Sequence, residues 1–351
     1  MPALVSPEEL LKIHQLPKAE LHLHFEGCIT PAQLMTLARI HGEKLDQASI
    51  EKRYNTATFP EFLDLFKWAT SFLRKPEDYE LVATCIVQEL QRQKLSYTEI
   101  TLSAGVMLLR KQDVEANFAA ILRPFEKAAR EGSLHVQWIF DAVRQFGPEK
   151  AMEVARLAVQ MKSEGIVAFG LGGDEESLPA AEFRKIYDCV ANEGLHRVVH
   201  AGEMGEPQSV RDAIEILGAE RIGHGIAAIH DEKLMDLLIE RQIPLEICPR
   251  SNLCTGALAK LLGTKQPSLK EHPLPKFVAR GVPVTLATDD PAMFRTDLEQ
   301  TFSDAATHMG LNRAQLVAIA EAGFRYAFLP CPEKLEALAH FRSRAMALGL
   351  L

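Results

Sequence analysis

Short runs of apolar and β-branched residues alternate along this chain with stretches whose apolar positions recur every three to four residues. The first pattern suits a buried strand and the second the inner face of a helix. The strand-like runs are Ala19–His24, Tyr97–Leu102, His135–Ala142, Val167–Leu171, Arg197–Glu203, Arg221–Gly225, Leu245–Cys248 and Val282–Asp289. Between them lie amphipathic segments such as Pro148–Lys162, Ala180–Asn192, Gln208–Leu217 and Glu232–Arg241. Strand–helix alternation predicts a parallel sheet, and eight repeats are the closing number of the (β/α)8 TIM barrel. Two regions carry more helix than a barrel needs. Pro31–His41, Pro60–Leu73 and Pro76–Lys94 form a helical insertion after strand 1, placed to act as a lid, and residues 297–350 predict extra C-terminal helices. No internal repeat, low-complexity tract or long flexible linker interrupts the alternation, so residues 1–351 are expected to form a single domain.

In such barrels chemistry sits at the C-terminal ends of the strands. There the sequence places His22-Leu23-His24, His200-Ala201-Gly202-Glu203, Gly223-His224-Gly225, Cys248-Pro249-Arg250-Ser251-Asn252 and Thr288-Asp289-Asp290. An isolated His-x-His is more often a pair of core imidazoles than a metal site. Here the two rings share one face of a strand, and His200 and Asp289 arriving from distant strands would complete a three-nitrogen, one-oxygen shell for a divalent ion. Asp289 and Asp290 would suit a helix cap before Pro291. Read as strand neighbours they point opposite ways, one toward the metal and one toward the substrate. Glu203 would be costly to bury unless used, which suggests a general acid or base. His224 is either a further ligand or a group that positions water, and the flanking glycines suggest close backbone approach.

Other features carry less. Gly170-Leu171-Gly172-Gly173 lacks the lysine of a phosphate loop and is expected to offer a backbone group to the ligand. Phe62, Phe66 and Trp68 at helical spacing read chiefly as core. The remaining histidines, His272 among them, read as surface or structural. A net charge of −8 over 351 residues, with no dense basic cluster, argues against nucleic acid. No secretory signal or apolar run of about 18 residues is visible. The six cysteines include no CxxC pair, so reduced thiols and a cytoplasmic location are expected. There is no GxSxG elbow, and no lysine at a predicted strand end to bridge a second metal. The reading is mononuclear metal-assisted hydrolysis.

With Leu16-Pro17-Lys18-Ala19-Glu20-Leu21 leading into His22-Leu23-His24-Phe25-Glu26-Gly27, these motifs resemble the adenosine/adenine deaminase family of the amidohydrolase superfamily, in order over roughly residues 14–295. The resemblance implies one zinc ion held by His22, His24, His200 and Asp289. It implies that Glu203 protonates N1 of a 6-aminopurine while His224 orients the attacking water and stabilises developing oxyanion charge. Asp290 would bond the N7 edge, the Gly173 N–H would meet N3, and Glu26 would meet the ribose. The products would be ammonia and a 6-oxopurine. Typical adenosine deaminases carry aspartate where this chain has Glu26 and Gly170. Those two positions, with Ser251-Asn252-Leu253-Cys254-Thr255-Gly256, are most similar to the bacterial branch acting on 5′-modified adenosines such as aminodeoxyfutalosine or 5′-methylthioadenosine. The expected partner is a small purine nucleoside, with no nucleic acid and no membrane; the sequence sets no oligomeric state. The alternatives are deamination of free adenine, or another mononuclear metal-dependent barrel hydrolase.

Overall fold

The computed structural model describes residues 5–132 and 134–351. Its strands are β1 (Lys18–His24), β2 (Leu95–Leu102), β3 (His135–Val143), β4 (Ile166–Gly172), β5 (His196–Ala201), β6 (Arg221–His224), β7 (Leu245–Ile247) and β8 (Val284–Leu286). They form one sheet in the order β1 to β8, every neighbouring pair parallel. The sheet closes on itself beyond the end of β8. There the Asp289 N–H donates to the His22 carbonyl at 3.1 Å and the His24 N–H donates to the Asp289 carbonyl at 2.8 Å. The (β/α)8 barrel is therefore the architecture, and its closing bond is made by two of the chemically interesting segments.

At the end of β1, His22 and His24 share one face and Leu21 and Leu23 enter the apolar core, while a register slip between Glu20 and Leu23 leaves Glu20 outside the barrel, bordering a groove with Cys28, Cys85 and Gln93. The apolar set joins the core between sheet and helices, where Phe118 meets Trp138 and Phe140 edge-on. The two histidines face the barrel axis, where His200 and His224 meet them. Beneath the histidines, Arg221 of β6 pairs with Glu99 of β2 and lies 2.6 Å from Glu246 of β7, all three almost fully buried. The Arg221 guanidinium also stacks 3.7 Å from the Phe328 ring. An ion network thus fills the barrel under the site. Such networks stabilise little, but a broken one leaves an uncompensated buried charge.

The insertion after β1 contains the helices Pro31–Ile40, Phe59–Thr70 and Pro76–Arg92, plus a short helix Gln47–Arg53 that the sequence pattern did not announce. Three helices, Leu298–Thr307, Arg313–Tyr326 and Cys331–Ala347, follow β8. The second packs so closely on β1 that a Cβ on Gly323 would lie 2.7 Å from the Ala19 carbonyl oxygen. Among the described residues no helix is long and apolar enough to cross a membrane.

Two predicted strands end early, and this corrects how the site residues are presented. β5 stops at Ala201 and β8 at Leu286, so Glu203 and Asp289 sit on loops past their strands. The cause is side-chain competition for the ladder's donors. Glu175 accepts from the backbone N–H groups of Glu203, Met204 and Gly205 at 3.1, 3.0 and 2.8 Å, and Glu20 accepts from Thr288 N–H at 2.8 Å. Asp289 then turns into the left-handed region at φ 67°. Strand alternation therefore does not divide Asp289 from Asp290, and both side chains border the same cavity.

Candidate active site

The β1 register brings His22 and His24 to the top of the barrel, β5 brings His200, and the closing loop brings Asp289. One ligand atom from each lies within 4.8 Å of the others. His24 Nε2 and His200 Nε2 are 3.2 Å apart, and each of His22 Nε2 and His24 Nε2 lies 3.2 Å from Asp289 Oδ1. Donors held about 2.0–2.1 Å from one tetrahedral ion are separated by about 3.3 Å. The three 3.2 Å separations match that spacing, and the four convergent atoms suit a divalent cation.

Their supports fit the same reading. His22 Nδ1 lies 2.8 Å from Glu246 Oε2. A carboxylate only accepts, so Nδ1 carries the hydrogen and Nε2 keeps its lone pair for the shared centre. Ser251 Oγ donates to Asp289 Oδ2 at 2.7 Å, leaving Oδ1 facing the imidazoles. We predict that Glu246→Gln lowers metal affinity roughly 10–100-fold, and that it also lowers stability because it weakens the buried pairing with Arg221. Competition with a chromogenic chelator measures the first effect, and an unchanged affinity would show that the contact does not tune the ligand.

Glu203 owes its place to the Glu175 clamp and to Thr255, whose Oγ1 is 3.1 Å from Glu203 Oε1. Burial, with the Asp289 and Glu175 carboxylates nearby, pushes Glu203 up to about 8, so it carries a proton at neutral pH. His224 has φ 61°, and a Cβ at Gly223 would come within 2.7 Å of the His22 ring. Such conformations cost about 1–3 kcal/mol and collect at functional sites. The His224 Nε2 atom is 3.7 Å from Glu203 Oε2 and 3.8 Å from Asp289 Oδ2, while Nδ1 is 3.1 Å from the Asn252 amide nitrogen. The first turn after β7 therefore orients three groups at once: Ser251 holds Asp289, Asn252 holds His224 and Thr255 holds Glu203. The sequence marked this segment as a motif without showing the job of each residue.

These groups open into a cleft bordered by His24, His200, Glu203, His224, Asp289 and Asp290. Gly173 borders it as well. Burial, and the Asp289 carboxylate beside it, push Asp290 well above the usual carboxylate range, and its Oδ1 has no protein partner. Gly173 has φ 90°, and a Cβ there would strike Gln145. Glu26 is placed one layer back. Its Oε1 accepts from the Ser103 N–H at 3.0 Å, and Ser103 borders the cleft. Phe62 and Phe66, expected as core, line the cleft together with Phe59 and Lys67, because the inserted helix Phe59–Thr70 lies across its mouth. Trp68 turns away, under Arg53 and against Phe72.

A match to the adenosine deaminase family model spans residues 17–342. The chain belongs to the adenosine deaminase family. It is 37% identical over 340 residues to the aminodeoxyfutalosine deaminase of Streptomyces coelicolor, covering 94% of this chain and 86% of that one. It is 32% identical to an adenine deaminase of a Chelativorans species, covering 90% and 94%. The structure superposes on the crystal structure of an adenine deaminase from Arthrobacter aurescens with a TM-score of 0.86 at 26% identity, covering 94% and 99%. The chain is a metal-dependent aminohydrolase that deaminates an adenine nucleoside.

The departure at Gly170 from the pattern the resemblance implies has a physical reading. A Cβ at Gly170 would lie 2.5 Å from Oδ1 of Asp141 on β3. Asp141 is 3% exposed, borders the cleft, and its Oδ1 has no protein partner. The side chain that Gly170 lacks is thus replaced in space by a carboxyl from the neighbouring strand. Burial and the Glu26 charge push it up to about 8. Nothing in the sequence singled out Asp141, because it falls inside an apolar run.

Proposed function

We propose that this member of the family acts on a 5′-modified adenosine, with aminodeoxyfutalosine as the substrate and zinc as the ion. The observation that carries the purine reading is the set of donors facing the cleft. Protonated Glu203, protonated Asp290 and the Gly173 N–H are three donors, and N1, N7 and N3 of an adenine ring are three acceptors. In this reading Glu203 delivers its proton to N1, which makes C6 electrophilic. The carboxylate left behind takes a proton from the adding water, passes it to the departing amine, and is reprotonated by the C6 hydroxyl as the carbonyl forms. Asp290 holds N7 and Gly173 holds N3, fixing the ring's rotation. His224 meets the oxygen that adds to C6. A divalent ion in the His22, His24, His200 and Asp289 cluster supplies, when bound, acidified water for that addition. A donor set dominated by three borderline imidazoles, with one carboxylate, favours zinc over magnesium or calcium.

The 5′ extension rests on two supports: the 37% identity to an aminodeoxyfutalosine deaminase, and the mouth of the cleft. Phe59, Phe62 and Phe66 offer aromatic faces there, and Lys67 offers a cation, which suits the aromatic carboxylate that ends the aminodeoxyfutalosine side chain. Ammonia release by zinc-loaded protein from aminodeoxyfutalosine, 5′-methylthioadenosine, adenosine and adenine tests the reading. The highest kcat/KM is expected for aminodeoxyfutalosine, and a preference for free adenine would overturn the nucleoside assignment. Lys67 is 66% exposed, so its effect is modest. Lys67→Glu should lower kcat/KM for aminodeoxyfutalosine roughly tenfold, equal to about 1.4 kcal/mol, and leave adenosine nearly unchanged.

A further inference from the structure

His272 lies outside the cleft, between a single 3-10 turn (Leu269–Glu271) and the helix Leu274–Arg280, and the mechanism above does not use it. It is nevertheless only 3% exposed. Its Nδ1 accepts from the backbone N–H of Leu274 at 3.1 Å, and its Nε2 lies 3.2 Å from Asn252 Oδ1. Asn252, 0% exposed, places its amide nitrogen 3.1 Å from His224 Nδ1. Three buried polar side chains therefore run in a line from a backbone amide to the ring that borders the reacting centre.

The hydrogen positions along this line follow from one fixed donor. A backbone N–H can only donate, so His272 Nδ1 is an acceptor. Burial pushes the His272 imidazole down to about 3, so it is neutral and its single hydrogen is on Nε2. That hydrogen goes to Asn252 Oδ1, which sets the amide's rotation. The Asn252 NH2 then donates to His224 Nδ1, and a neutral His224 must carry its hydrogen on Nε2. Nε2 is the atom that faces Glu203 and Asp289 across the cleft.

We propose that His272 and Asn252 are positioning residues that lock His224 as its Nε2–H tautomer, so that it enters the reaction as a hydrogen-bond donor to the oxygen adding to C6. This rests on the role given to His224 above. The lock matters because an Asn amide flips by a simple rotation. With Oδ1 turned toward His224, Nδ1 would take the hydrogen and Nε2 would face the cleft as a bare lone pair, repelling a developing oxyanion instead of stabilising it.

Nitrogen-15 histidine NMR of the zinc-loaded wild-type protein reads the tautomer directly and needs no substrate. His224, assigned by the signal lost in His224→Ala, should show a protonated Nε2 and an unprotonated Nδ1. A protonated Nδ1 would overturn the proposal. Asn252→Asp keeps the shape but presents only acceptors to His224. It should move the hydrogen to Nδ1 and lower kcat roughly 10²-fold with little change in KM and unchanged zinc content. His272→Leu should do the same more weakly, by freeing the amide to rotate, while His272→Gln, which keeps an N–H donor and an acceptor, should recover most of the loss. A switched tautomer with wild-type kcat, or an unswitched tautomer in both Asn252→Asp and His272→Leu, also overturns it. If the wild type deaminates none of the four purines while His224 shows the Nε2 hydrogen, the substrate reading fails and the lock stands.

Discussion

Glu203→Gln should retain its full complement of metal and lose most of its turnover, roughly 10²–10⁴-fold in kcat. Glu203 is not one of the four convergent ligand atoms, so the substitution leaves the cluster intact. Gln keeps the size and the 3.1 Å contact to Thr255 Oγ1, but cannot deliver a proton to the ring. The sign of the pH effect follows from the raised value. Glu203 is protonated below about 8, so proton donation is present at neutral pH and is lost as pH rises through that value. A cation in the neighbouring cluster favours the carboxylate, which places this alkaline limb no higher than about 8, and Glu203→Gln should abolish it. Stability should move the other way. A carboxyl raised from 4.5 on folding binds its proton more tightly in the folded state, so it costs stability increasingly as pH rises above 4.5. Gln carries no such cost, and the variant's Tm at pH 7 should rise. Atomic absorption, steady-state kinetics and a thermal melt measure the three together. Wild-type kcat in this variant would show that another group supplies the proton.

The fold was readable because its signals are local. Eight apolar runs separated by amphipathic segments need only period counting, and the strands appear where they were placed, apart from their ends. Those ends were missed for a reason. Glu175 and Glu20 take over backbone donors that a strand would have used, and a long-range side-chain clamp leaves no mark on the hydrophobic period. Asp289 and Asp290 were expected to diverge as strand neighbours, yet a left-handed residue at 289 turns both carboxyls toward the cleft.

The candidate residues at strand ends were legible for the same reason as the strands. His22, His24, His200 and His224 stand in motifs whose neighbours are apolar, so a polar side chain there has few structural excuses. Residues whose work is done through another residue were not legible. Glu246 reaches His22 across the barrel, Asp141 fills the space left by Gly170, and His272 acts on His224 through Asn252. Each is an ordinary-looking residue until the topology sets it beside its partner. The insertion after β1 lay between the two cases. Three of its four helices were foreseen, but whether Phe62 and Phe66 face core or cleft depends on how the helix Phe59–Thr70 lies across the barrel mouth, which spacing alone does not determine.

His200→Ala should lose metal and activity together, and its effect should exceed that of Glu203→Gln. The variant removes one of four ligand atoms held within 4.8 Å, and truncation leaves a void where the β5 end met His24 Nε2 at 3.2 Å. Three remaining donors bind a divalent ion far more weakly, so turnover should fall to the level of the metal-stripped wild type. A thermal readout separates this from simple misfolding. Ligand binding to the folded state stabilises by RT ln(1 + [L]/Kd), about 2.7 kcal/mol at 100 times Kd. The wild type should therefore melt at a lower temperature after chelation and recover on adding zinc. His200→Ala should melt near the chelated wild type and show no response to micromolar zinc. A variant that still melts cooperatively but ignores the metal would tie the loss of activity to the centre itself. A variant with a wild-type zinc response would remove His200 from the ligand set and leave the histidine pair of β1 with Asp289 as the whole of it.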